Sequence, residues 1–159
     1  DESLIDAIKK KLQDKVESIS NPASKRVFIT VKKEDIPEIL RVLKNDFELY
    51  HLSTISGVDK EDEYELLYHM ASLESQVTVR CVTPKDDPKV PTVSIVIPGA
   101  ILYERELQDM FGIVVENIPD PRPLLLADDW PEGEHPLRKD WKFDRPEEII
   151  PEPRIGGKK

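Results

Sequence analysis

The 159-residue chain has one cysteine, Cys81. A single thiol excludes an internal disulfide framework and any zinc or iron–sulfur site built from the chain's own cysteines. It fits a reducing compartment. Basic residues are not in excess: 23 Lys and Arg stand against 32 Asp and Glu, a net charge of −9. A nucleic-acid role therefore has no basic stripe to rest on. No stretch approaches the roughly 20 apolar residues that a membrane-spanning helix needs. The opening DESLIDAIKKK is amphipathic and lacks the apolar centre of a signal peptide. Membrane association is thus expected to run only through partners. Glycine is scarce, with six residues and one adjacent pair, Gly156-Gly157, so there is no phosphate-cradling loop and no dinucleotide fingerprint.

What is present suits one domain with a solvated or partner-covered surface: 38% of residues are hydrophobic and 35% charged. Apolar residues at helical spacing (Leu4, Ile5, Ile8, Leu12, Val16, Ile19) predict a helix over 3–19, stopped by Asn21-Pro22. RVFITV at 26–31 alternates and is β-branched, the mark of a strand. Ile36, Ile39, Leu40 and Leu43 predict a helix over 34–45, with Pro37 tolerated in its first turn. Strands are expected at about 48–57, 63–72 and 76–83, the first two joined as a hairpin through the polar turn Asp59 to Asp62. A proline-containing loop follows at 84–91. Ser94 to Gly112 reads as mostly helical, with Pro98 near a helix start and Gly112 as the stop. This order predicts an α+β fold: a mainly antiparallel sheet of about four strands with helices packed on it.

Beyond residue 115 the periodicity stops, and eight of the fourteen prolines lie in 116–159. Such a segment cannot build its own core. It is either disordered or an extended arm lying on a partner subunit. Trp130, Trp141, Phe143 and the run Leu124-Leu125-Leu126 favour the arm, because interface anchors are of these types. The chain therefore divides into an α+β domain, 1–115, and an extended C-terminal arm, 116–159.

Candidate chemistry concentrates in two segments. Glu104 and Glu106 are paired carboxylates, but residues two apart on a helix do not face one substrate, which weakens a hydrolase reading. Arg105 and Asp109, four apart, are placed to pair along one helix face. Leu102, Met110 and Phe111 supply an apolar flank. His51 and His69 fall in predicted strands without a second ligand at metal spacing, and they read as ordinary sheet residues. Cys81 reads as a small buried residue rather than a nucleophile. Arg138, Lys139 and Trp141 form a basic–aromatic cluster suited to a partner carboxylate.

YERELQDMFGI at 103–113, followed by DWPEGEHPLRKDW at 129–141, resembles the 30-kDa subunit of respiratory complex I and its homologues in energy-converting membrane hydrogenases. Glu104, Arg105, Glu106, Asp109, Met110, Phe111, Gly112 and Ile113 match the family's first segment. His135, Pro136, Leu137, Arg138, Lys139 and Asp140 match its second. Gln108 stands where an aromatic is common, and Glu134 where a glycine is common. The linking stretch NIPDPRPLLLADDWPEGE looks more like the hydrogenase branch. The resemblance implies a subunit without catalytic, cofactor-binding or metal residues of its own. Iron–sulfur clusters and, in the hydrogenase branch, nickel–iron would belong to partner subunits. It implies a place in the peripheral hydrophilic arm, on the cytoplasmic side of the membrane. There the chain would meet the catalytic large subunit and the iron–sulfur small subunit, with the C-terminal arm spread over the large subunit. The expected interface residues are Glu104, Arg105, Glu106, Asp109, Phe111, Trp130, His135, Leu137, Arg138, Lys139, Asp140 and Trp141. The expected function is that of a non-catalytic structural subunit of a ferredoxin-dependent, ion-pumping membrane hydrogenase, or of a quinone- or sulfane-reducing relative.

Overall fold

The computed structural model describes residues 2–143. The rest of the expected arm, 144–159, lies outside the described residues. The fold is α+β, as the periodicity indicates. Helix α1 spans Glu2–Leu12, α2 Ile36–Asp46 and α3 Ala100–Phe111. Strands β1 Val16–Ala23, β2 Arg26–Val31, β3 His51–Asp59, β4 Glu63–Ala71 and β5 Gln76–Pro84 form one sheet in the order β1-β2-β5-β4-β3. The β2–β5 pairing is parallel, and the other three are antiparallel. Two short strands, β6 Lys89–Pro91 and β7 Val114–Glu116, pair in parallel as a separate ribbon.

The helix expected over 3–19 ends at Leu12 and is followed by a strand. Val16 and Ile19, three apart, fit a helical repeat, whereas a regular strand would place them on opposite faces. In β1 a register shift between Val16 and Ser18 interrupts that alternation, so spacing points to the wrong element. The backbone decides: Gln13 takes φ of 40°, outside helical range. Val16–Ala23 then pairs with β2, with Ile19 opposite Ile29. The sheet therefore has five strands rather than four. Within the span expected to be mostly helical, 94–112, the helix begins at Ala100, just after Pro98. Pro98 has no N–H to continue a helical ladder, and 93–100 is held by turns such as Ile97 N–H to the Val93 carbonyl. The loop expected at 84–91 carries β6. The hairpin turn between β3 and β4 is as expected, closed by Lys60 N–H on the Glu63 carbonyl.

Strand alternation sends one face of the sheet inward. Val27, Ile29, Leu66, Tyr68, Met70, Val77, Val79 and Cys81 are buried there. Ile8 and Leu12 of α1, Ile36, Ile39, Leu40 and Leu43 of α2, and Leu107 and Phe111 of α3 join the same core. At about 1.5–3 kcal/mol for each large apolar side chain buried, this face dominates folding. On the opposite face His69 bridges strands, its ring bonding Ser56 Oγ and Thr78 Oγ1. That is the ordinary sheet role read from its position. Helix α3 can approach β3 closely because residue 57 is glycine: a Cβ there would lie 2.6 Å from the Phe111 ring.

Candidate functional site

The two motif segments meet. The first builds α3 and the second closes its C-terminal end. The last carbonyls of a helix lack partners within it and must find them elsewhere. Here His135 Nδ1 donates to the Asp109 carbonyl at 2.9 Å, Leu137 N–H to that of Met110 at 3.0 Å, and Arg138 Nε to that of Phe111 at 2.6 Å. Gly112 ends the helix in the left-handed region, φ 72°, with its N–H on the Gln108 carbonyl. A Cβ on Gly112 would run into the Arg138 guanidinium and the His135 ring. Glycine is needed at this position twice, for conformation and for space.

Further along, α3 holds the start of the arm. One carboxylate oxygen of Asp109 accepts three consecutive backbone N–H groups, from Leu124, Leu125 and Leu126, at 2.7–3.2 Å. Arg105 donates to the carbonyls of Arg122 and Pro123 and reaches Asp120 at 3.4 Å. Gln108 donates to the Pro121 carbonyl and accepts from Val115 N–H. Charged groups bonded to backbone in this way are among the stronger contacts available at a surface. The expected Arg105–Asp109 pair does not form, because each side chain bonds the arm instead. Aromatic side chains brace the second motif: Trp130, Trp141 and Phe143 stack in series with centroids 5.8 and 5.9 Å apart. Both indoles donate to Glu134.

A third anchorage joins the arm to the sheet. Asp59, at the end of β3, accepts Lys139 N–H at 2.9 Å and pairs with Lys85. Burial alone would raise its pKa. The Lys85 ammonium and the N–H groups of Lys139 and Glu61 outweigh that and hold it at about 2. The buried Tyr64 ring carries Lys85 on one contact and Arg138 on another, 5.5 and 5.9 Å from its centroid.

Glu104 was expected at an interface, bonded to a partner's cation or backbone N–H groups; the bonds it makes in the structure are within the chain. It is 1% exposed and accepts from Thr92 Oγ1 at 2.7 Å and from Val93 N–H. Burial raises its pKa against the lowering effect of those two donors. It fastens the 92–94 segment to α3. Glu106, two residues on, lies on another side of the helix, and its carboxylate has no hydrogen bond or ion pair among the described residues. The two carboxylates do not converge on one substrate. Leu137 is exposed, as are the Lys139 and Asp140 side chains. Phe111 is in the core. Cys81 is buried, and burial pushes its thiol up to about 12. Asp59, Gly57 and Tyr64 were missed by sequence reasoning. Only the turn position of Asp59 hinted at a bonding role, and nothing local tied it to residue 139. No cluster of three or more metal-ligating side chains occurs among the described residues.

Comparison with known proteins gives the chain a family. Residues 29–147 match the family described as respiratory-chain NADH dehydrogenase, 30 Kd subunit. The chain is 33% identical over 144 residues to an F(420)H(2) dehydrogenase subunit of Methanosarcina mazei, covering 88% of this chain and 90% of that protein. It is 32% identical over 130 residues to the membrane-bound hydrogenase subunit beta of Pyrococcus furiosus, covering 79% and 75%. A chain in the structure of the membrane-bound sulfane sulfur reductase, an archaeal respiratory membrane complex, superposes with a TM-score of 0.79 at 28% identity, covering 89% of this chain and 85% of that one. The residues that build the α3–arm joint lie within the matched region, and the chain belongs to the family of the 30-kDa subunit of respiratory-chain NADH dehydrogenase.

Proposed function

We propose that this chain is a non-catalytic structural subunit in the hydrophilic arm of a membrane-bound, ion-pumping oxidoreductase complex. It docks on the catalytic large subunit beside the iron–sulfur small subunit, and the complex is a ferredoxin-dependent membrane hydrogenase. Iron–sulfur clusters and nickel–iron belong to those partners. The chain sits at the cytoplasmic side of the membrane, held there by other subunits. None of its described helices is long and apolar enough to cross a membrane.

The observation that carries this reading is the joint itself. Glu104, one of the two carboxylates that could have done acid–base chemistry, is engaged in fastening residues 92–94 to α3, and Arg105, Asp109 and Arg138 are engaged in holding the arm to that helix. The arm meanwhile keeps Leu125, Leu137 and Phe143 more than half exposed. Polar groups satisfied on the inside and apolar side chains presented outward describe a surface made for another protein. The hydrogenase assignment rests on the character of the linking stretch and on the similarity to the Pyrococcus protein. A second reading, a sulfane- or F420-linked complex, is favoured by the longer matches to those two proteins.

The test is native purification through a tag on this chain, with mass spectrometry and Fe and Ni analysis. Partner subunits with nickel are the expected result. Iron without nickel would favour the second reading. Recovery of the chain alone and monomeric would end both.

A further inference from the structure

Helix α3 has three faces. At about 100° per residue, Ala100, Glu104, Leu107 and Phe111 share one face and are buried. Arg105, Gln108 and Asp109 share a second, and all three bond the arm. The third runs through Leu102, Glu106 and Met110, spaced four apart and so stacked along one side. Among the described residues no side-chain hydrogen bond or ion pair from the sheet or the arm reaches this side, and Met110 rests one flank against the core. Leu102 is 50% exposed, and Glu106 and Met110 are half-buried. The strip continues onto the second motif, because Leu137 bonds the Met110 carbonyl and is itself 53% exposed.

Glu106 is the odd member of its motif. Glu104, Arg105, Gln108 and Asp109 each have partners within the chain. Glu106 has none among the described residues, although it lies between apolar neighbours in a chain of net charge −9. A carboxylate flanked by apolar surface is costly to cover unless the covering surface brings a cation. We infer that Leu102, Glu106, Met110 and Leu137 form a docking strip for a neighbouring subunit. The segment that covers it is apolar and carries one arginine or lysine placed against Glu106. This rests on the reading that the chain works inside a multi-subunit complex. It adds the place of contact and the chemistry of the partner.

The experiment uses the full chain, tagged and purified natively from its own cells, as wild type, Glu106→Gln and Glu106→Arg. Unchanged thermal unfolding of the variants establishes that the fold is intact, since the Glu106 carboxylate bonds none of the described residues. The expected result is roughly a tenfold loss of affinity for the co-purifying subunit with Glu106→Gln, and a larger loss with the charge reversal. A photo-crosslinker at Leu102 should attach to a partner peptide containing Arg or Lys. Full assembly of Glu106→Arg would overturn the inference while leaving the reading of the chain as a subunit standing. Wild type recovered alone would overturn both. A homodimer broken by Glu106→Arg would put a second copy on the strip and overturn the assignment to a foreign subunit.

Discussion

Arg138 Nε donates to the carbonyl of Phe111, 27 residues earlier in the chain, at 2.6 Å. The second motif thereby closes the helix that the first motif builds, and the two act as one joint. That relationship sets the first prediction. Arg138→Ala removes a charged donor from a helix end and a cation from the Tyr64 ring. Bonds from charged groups are worth about 1.5–3 kcal/mol, so the variant should unfold at lower denaturant by about that amount. Assembly into the native complex should weaken with it. A complex recovered in unchanged yield would show that this arginine does not matter to docking.

Gly112→Ala tests the same joint from the other side. An L-residue in the left-handed region costs about 1–2 kcal/mol, and the new Cβ would also displace Arg138 and His135. Limited proteolysis should then cut the 120–141 region faster than in wild type, before the sheet domain is attacked. Equal cleavage rates would mean that the arm is not held by this contact.

Asp109→Asn keeps the shape and removes the charge that gathers the N–H groups of Leu124, Leu125 and Leu126. Hydrogen exchange at those three amides should accelerate, while exchange in β4 and β5 stays as it was. Acceleration spread over the whole domain would show a general loss of stability instead.

Why the sequence reads well in some places and poorly in others follows from these contacts. Strands β2, β4 and β5 and helix α2 are legible because a single periodicity governs each, as in RVFITV or Tyr64, Leu66, Tyr68, Met70. Strand β1 is not, because Val16 and Ile19 keep a helical spacing across an irregular register and the deciding event is the backbone of Gln13. The parallel pairing of β2 with β5 leaves no local trace. The motif residues were recognisable, yet their partners were not: Asp109 finds its N–H groups 15 to 17 residues away, and Asp59 meets residue 139 across 80. Bonds of that separation carry no spacing signal, so the charges looked available to another subunit when most are bonded at home.

Two buried carboxylates give opposite pH dependences. Asp59 is held at about 2, below its usual 3.8. Its contribution is complete above pH 3.8 and disappears as pH falls from there towards 2. The size is about 2 kcal/mol. Glu104 is raised above its usual 4.5. Its contribution is complete below that value and is lost as pH rises through the raised one. Urea melts across this range should therefore show Asp59→Asn flattening the acid limb and Glu104→Gln flattening the slope on the side above pH 4.5. Parallel curves for wild type and both variants would contradict the assignment.

Gly57→Ala tests how α3 sits on the sheet. The added methyl group lies within 2.6 Å of the Phe111 ring and 3.1 Å of Leu107. Overpacking of this kind costs about 1–3 kcal/mol, so thermal unfolding should shift down by several degrees. A companion Phe111→Leu change, which makes room, should recover part of the loss. No recovery would mean that the strain lies elsewhere.

The most direct measurement is hydrogen exchange of the free chain beside the chain within its native complex, followed at the amides of Leu124 to Leu126 and Leu137 to Trp141. An arm held by its own helix predicts that these amides are already slow in the free chain and change little on assembly. Fast exchange in the free chain, slowing only in the complex, would contradict the joint and make the arm's order a gift of its partners.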